Sequence, residues 1–348
     1  MSLYDAVREL PLSLEEVVPE MVVKTVSSEF TRRTTIVRLC QNANLKSPGV
    51  EGHGEDVTYS EEEHQPYRFP QLDLAGEWTF ESFSKRLDEL DLFPNGEPDQ
   101  AAYRDYRRWA YESAGLDLAL RQSQKWLPQI VRRHFQPVTF VSSTRATDLD
   151  GWLEHYPDLR FKLDPTPEWT DELIAKLAAR GNVDVLDLKG FYSGTPVDNP
   201  ADPDLYRRVV EAFPDAWIED PALTPETEEV LEPHRDRITW DAPIHSWADV
   251  EALPFPPKCL NVKPSRFGKL ERLLEFYERC EENGIALYGG GQFEISAGRG
   301  QIQLLASIFC PDGPNDVAPG GYNDPDPRPG LETSPLDPRA EPFGFRRQ

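Results

Sequence analysis

The chain has 348 residues, 61 acidic against 37 basic, and a formal charge of −24 without any basic block, which argues against nucleic acid or an anionic membrane as partner. It has no run of 18 apolar residues, and its start, "MSLYDAVREL", lacks the features of a signal peptide, so a cytoplasmic protein is expected. Cys40, Cys259, Cys280 and Cys310 form no CxxC and no Cys/His zinc spacing, and read as reduced thiols.

Residues 20–42 contain two β-like stretches, and "PGVEGHGEDVTYS" after them reads as a glycine-rich loop. Residues 99–125 have a helical pattern, with Trp109, Leu116 and Leu120 at compatible spacing and Gly115 weakening the middle. These make an α+β unit, assigned to residues 1–130. From residue 138 short apolar runs alternate with helix-length amphipathic segments. The runs are "VTFVSS", "LRFKLD", "VDVLDL", "AWIEDP", "RITWDA", "CLNVKP", "IALYGG" and "NDVAPG". One marker in each from the second onward (Lys162, Asp187, Glu219, Asp241, Lys263, Tyr288, Asp316) recurs every 22 to 32 residues, the length of a strand, a helix and two loops. Helical crossovers imply parallel strands. Eight units favour a closed (β/α) barrel, assigned to residues 131–320, over an open doubly wound sheet. The Pro-rich tail, assigned to residues 321–348, is expected to wrap the barrel or reach the first domain.

In "LDL", "WIEDP", "TWDAP" and "NVKP" the charged residue closes the apolar run, where a barrel strand delivers side chains to its active face. Asp187, Glu219 and Asp241 would converge there. Three carboxylates in a partly dry pocket repel one another, and protonation or a cation relieves them. One such acid alone reads better as a helix cap or surface ion pair; three at successive strand ends do not. Oxygen ligands without His or Cys suit Mg²⁺, with Mn²⁺ poorly discriminated. Lys162 in "RFKLD" and Lys263 in "NVKP" would approach a metal-bound ligand from opposite sides. The alternative is that the lysines only neutralise neighbouring acids.

In this order and spacing the motifs resemble the enolase superfamily, in its muconate-lactonizing subgroup, over nearly the whole chain. "WIEDP" is similar to the strand-four motif, "RFK" to the (K/R)xK motif of strand two, and "NVKPSRFGKLERLLEFYERCEENGIALYGGGQFE" to the strand-six unit and its successor. The resemblance implies a modified TIM-type (β/α) barrel with an N-terminal α+β capping domain that carries a glycine-rich specificity loop. It implies Asp187, Glu219 and Asp241 as metal ligands, Lys162 and Lys263 as catalytic groups, and a proton taken from the carbon α to a small-molecule carboxylate. Bases on both faces favour a racemase or epimerase. A spectator lysine would instead fit a lyase: an o-succinylbenzoate-synthase-like dehydratase, a cycloisomerase or an ammonia-lyase. A non-catalytic metal- or carboxylate-binding relative is the reading from another class. Arg160, His53, Gly291, Glu294 and Asp316 are the candidates for substrate contact, and a homo-oligomer is open. Two departures bear on the substrate: Ala242 follows the strand-five Asp where Glu is frequent, and Lys189 and Gly190 stand where an Asn is usual.

Overall fold

A computed structural model of the protein describes residues 2–26, 30–42, 49–195 and 197–347. After a short helix (Leu3–Val7) come β1 (Pro11–Leu14), β2 (Glu16–Thr25), β3 (Thr31–Gln41), β4 (Val50–Asp56) and β5 (Gly76–Thr79). β2, β3 and β4 form an antiparallel meander, and β1 pairs with β5. β3 is rich in Thr, Val and Ile, and its side chains at Arg32, Thr34, Val37, Leu39 and Cys40 are buried, as befits a central strand.

The segment read as a glycine-rich loop is largely strand: β4 includes Gly52, Gly54 and the intervening His53. The glycines are there for packing. The helix Tyr103–Gln122 lies so close that a Cβ on Gly54 would fall 1.9 Å from the Ala110 carbonyl oxygen, and one on Gly52 would fall 2.2 Å from that of Ala114. The two β-like stretches and the long helix of the first domain are present, with the helix almost wholly buried.

The second half supplies seven parallel strands in sequence order: β6 (Val141–Thr144), β7 (Arg160–Leu163), β8 (Val183–Asp187), β9 (Trp217–Glu219), β10 (Ile238–Trp240), β11 (Cys259–Val262) and β12 (Ala286–Gly289). The eighth run, "NDVAPG", makes an isolated bridge instead of a strand. Asn315 pairs with Phe140 in parallel, its carbonyl accepts from the Val141 N–H at 2.9 Å, and the Asp316 N–H donates to the Gly289 carbonyl at 2.8 Å. The Asn315 side chain takes over part of the missing ladder, accepting from the Gly289 N–H and donating to the carbonyls of Thr139, Cys310 and Gly313. The sheet thereby closes, and the fold is a modified TIM-type barrel with an N-terminal α+β capping domain.

The C-terminal segment first bridges the barrel at Val138–Leu336 and then returns to the cap, where Arg346 Nε lies 2.7 Å from Asp117 Oδ2. Two buried side chains join the cap to the segment after β12. Arg32 donates to the carbonyls of Val57, Thr58, Gln292 and Phe293. Glu55 accepts the N–H groups of Ile295, Ser296 and Gly298 at the start of the helix Ala297–Phe309. All four cysteines are buried and free, and no helix among the described residues is long and apolar enough to cross a membrane.

Candidate active site

The strand-end charges meet because consecutive parallel strands present their C-terminal ends together. β8 and β9 pair with Asp187 opposite Glu219, while Asp241 and Lys263 directly follow β10 and β11. Lys162, Asp187, Glu219 and Asp241 are each at most 1% exposed, and Lys263 is 8% exposed. Lys162 Nζ lies 3.1 Å from Asp187 Oδ2, donates to Glu219 Oε1 and stands 3.8 Å from Asp316. Lys263 Nζ is 2.8 Å from Asp241 Oδ2. The two ammonium groups therefore engage different carboxylates of one buried cluster.

Several partners in the cluster go beyond the residues expected from the sequence. Asn261 Nδ2, at 3.1 Å, and the Tyr288 hydroxyl both donate to Glu219 Oε2, fixing that carboxylate from β11 and β12. These two residues face each other in register. Arg266 Nη1 is 2.7 Å from Asp241 Oδ1, and the Tyr192 hydroxyl reaches Asp241 Oδ2 at 3.3 Å. Lys189 donates to Asp187 from both its backbone N–H and its ammonium, and its Nζ lies 3.7 Å from Asp164. Asp220 accepts the N–H groups of Asp241 and Ala242 at 2.8 and 2.9 Å, strapping β9 to the end of β10. A two-residue period could have flagged Asn261, which shares a strand face with Lys263, and Tyr288 is the marker of its own strand run; Lys189, Tyr192, Asp220 and Arg266 come from turns and a short helix that carry no periodic signal.

The electrostatics divide the acids. Burial pushes Glu219 well above the usual carboxylate range; Lys162 opposes this, while Asp187, Asp241 and Asp220 add to it. Burial, with Asp241 and Asp187, lifts Asp220 to about 7. Burial also works to raise Asp187 and Asp241, but Lys189 and Lys162 hold Asp187 below its ordinary value, and Arg266 and Lys263 do the same for Asp241. Desolvation disfavours the Lys162 ammonium, yet Glu219, Asp187 and Asp316 outweigh it and raise its pKa well above normal.

Oxygen atoms of Asp187, Glu219 and Asp220 lie within 4.8 Å of one another, all buried. An all-carboxylate donor set with two acids pushed toward protonation by burial and by one another's charge fits a hard divalent cation. Both oxygens of Asp220 already accept backbone N–H groups, so its structural task is the strap. Asp241 lies outside that group of oxygens, and its carboxylate is engaged only by the side chains of Lys263, Arg266 and Tyr192.

The remaining candidates are placed differently. Asp316 borders the cluster through Lys162. Glu294 Oε1 accepts the Gln292 N–H, Glu294 Oε2 has no hydrogen-bond partner, and a Cβ on Gly291 would fall 2.1 Å from that oxygen. Arg160, at the opposite end of β7 from Leu163, pairs with Asp184 at its rim. His53 contacts Glu51, Asp117 and Arg346 and lines a surface cavity of about 350 Å³ with Arg121 and Phe343. The partners of Glu294, Arg160 and His53 lie outside the carboxylate cluster. Cavities of about 290 Å³ beside Glu294 and Arg299 and of about 590 Å³ on the cap near Phe69 also lie apart from it.

Among solved structures, the chain is similar to a dipeptide epimerase from Methylococcus capsulatus complexed with Mg ion, at 17% identity and TM-score 0.67, covering 91% of this chain and 92% of that one. It is also similar to the muconate lactonizing enzyme from Pseudomonas putida (16%, 0.60, 88% of each chain) and to an unknown member of the enolase superfamily from Enterococcus faecalis V583 (20%, 0.58, 90% and 85%). No curated protein matches. These likenesses show a fold shared with members of the enolase superfamily. Residues 5–130 and 134–324 match the N-terminal and C-terminal domains of a family described as a domain of unknown function, and this chain therefore belongs to the DUF8230 family.

Proposed function

We propose that the chain is a divalent-cation-dependent acid/base enzyme that abstracts a proton α to the carboxylate of a small organic acid, and that its reaction is 1,1-proton transfer. The observation that carries this reading is the pair of buried ammonium groups on β7 and just after β11, one held by Asp187 and Glu219, the other by Asp241. Asp187, Glu219 and Asp241 would hold the cation, Mg²⁺ or Mn²⁺, whose charge stabilises the negative charge that builds on the substrate carboxylate. Asn261 and Tyr288 fix the Glu219 carboxylate. One lysine takes the α-proton and the other delivers one to the opposite face, so the configuration inverts. The fold shared with an epimerase supports this reading.

One asymmetry favours a second reading. Lys162 is ringed by Glu219, Asp187 and Asp316, whereas Lys263 has Asp241 as its ion-pair partner. If Lys162 only balances charge, a single base remains, and the outcome is a β-elimination or cycloisomerisation.

The test is α-proton exchange in D₂O with Mg²⁺ and a panel of N-acyl amino acids, dipeptides and hydroxy acids, followed by NMR. Inversion with exchange, lost on chelation and reduced about 100-fold or more by either Lys162→Met or Lys263→Met, is expected. A dehydrated or cyclised product moves the reaction to the second reading. Ligand binding without exchange, with Mg²⁺ bound, makes the chain a binding protein and sinks both.

A further inference from the structure

Lys189 stands apart from the two strand-borne lysines. It lies two residues after Asp187 and has a left-handed backbone (φ +55°), which turns its side chain back over the strand end. Its ammonium donates to Asp187 Oδ2, the oxygen that also faces Lys162 Nζ at 3.1 Å. One carboxylate oxygen thus carries two ammonium groups. The second acid within reach is Asp164, just past the end of β7, whose Oδ2 is 3.7 Å from Lys189 Nζ and 3.2 Å from Arg145 Nε. Asp164 is 8% exposed, and its Oδ1 is buried without a hydrogen-bond partner. An unpartnered buried carboxylate oxygen is costly and is a ready acceptor.

A divalent cation on Asp187 would repel an ammonium on the same carboxylate oxygen. The shortest retreat for Lys189 is toward Asp164, where a shift on the order of 1 Å brings its ammonium within bonding distance of Oδ2, on the carboxylate whose other oxygen is left bare. We propose that Lys189 is a positioning residue with two seats: on Asp187 when no divalent cation is bound, and on Asp164 when one occupies Asp187 and Glu219. Asp164 thereby sets the affinity of the cation site without touching the cation. This rests on the metal-binding reading above. It also gives the Lys189 departure from the subgroup pattern a physical task, since a lysine in that turn makes cation uptake depend on a receiving acid.

The test is calorimetric titration of the full chain with Mg²⁺ alone, at fixed pH, for the wild type, Lys189→Met, Asp164→Asn and the double variant. Lys189→Met removes the competing ammonium and should tighten Mg²⁺ binding, whereas Asp164→Asn strands it on Asp187 and should weaken binding, each by about 10-fold or more. The deciding result is the coupling: Asp164→Asn should lose its effect in the Lys189→Met background. Equal weakening in both backgrounds would mean that Asp164 acts only as a distant charge, and would overturn the proposal, as would no change in either single variant. Lys189→Gln, which keeps the left-handed turn no more strained than lysine does, should repeat the Lys189→Met result, and melting in chelator checks that each variant is folded. No Mg²⁺ binding by either wild type or Lys189→Met would instead remove the metal-binding reading itself.

Discussion

Glu55 offers a test of how the cap is held on the barrel. Its carboxylate comes from β4, is 1% exposed, and accepts three backbone N–H groups at 2.8, 3.1 and 2.8 Å at the start of the helix Ala297–Phe309. Glu55→Ala orphans all three donors. Each hydrogen bond to a charged acceptor contributes about 1.5–3 kcal/mol, but these contributions are not additive, and part is offset by relief of a buried charge. That offset is real here: burial, with Glu294 nearby, pushes the Glu55 carboxyl above its ordinary pKa despite the N–H donors. Glu55→Ala should therefore cost about 3 kcal/mol, while Glu55→Gln, which keeps one acceptor oxygen and removes the charge, should stay within about 1 kcal/mol of wild type. The raised pKa also fixes the sign of the pH dependence. Between the unfolded and the raised folded pKa the folded chain holds a proton that the unfolded chain has released, so the Glu55 contribution is full below the unfolded value and is lost as pH rises through the folded one. Calorimetric melting from about pH 5 to about pH 8 should show Glu55→Gln with a shallower fall in stability than wild type. A Gln variant as unstable as the Ala variant, with an unchanged pH slope, would refute the reasoning and mean that the charge itself secures the junction.

Two further substitutions probe the cap. Arg107 is fully buried, pairs with Asp56 at 2.8 Å and Glu63 at 3.3 Å, and lies over the rings of Phe93 and Phe69. Arg107→Met leaves two buried carboxylates without it and should cost about 3–5 kcal/mol in chemical denaturation; a loss under about 1 kcal/mol would mean that the guanidinium's ion pairs and ring contacts do not hold the site. Gly54→Ala drives a methyl to 1.9 Å from the Ala110 carbonyl oxygen, backbone against backbone, so it should cost about 3 kcal/mol or more and lower the melting temperature. Unchanged melting would contradict the close approach of β4 to the long helix.

The legible parts of this sequence are those with a period or a charge out of place. Seven apolar runs become seven parallel strands because a crossover helix leaves little freedom in how they pair. The helix Tyr103–Gln122 survives Gly115 because that position faces Phe83, where a Cβ would come 2.6 Å from Cε1. The misreadings share a cause. Glycines that look like turn signals in β4 serve a tertiary contact that no local pattern encodes, and "NDVAPG" has the look of a strand although the Asn315 side chain performs much of its pairing.

The third carboxylate of the site shows where strand periodicity stops being informative. "WIEDP" presents two adjacent acids, and alternation along β9 assigns them to opposite faces, Glu219 inward and Asp220 outward. That rule holds only while the backbone is extended. Asp220 has φ +49°, so its carboxylate folds over the strand end, comes within 4.8 Å of the oxygens of Asp187 and Glu219, and accepts two N–H groups at the end of β10. Proximity alone would make it a ligand in place of Asp241. Its bonding points the other way: those two N–H groups hold Asp241 and Ala242 in place, so Asp220 fixes the backbone that carries Asp241, whose own side chain is held by Lys263, Arg266 and Tyr192. On the proposed reading the pair divides one task, with Asp220 building the turn and Asp241 presenting the charge.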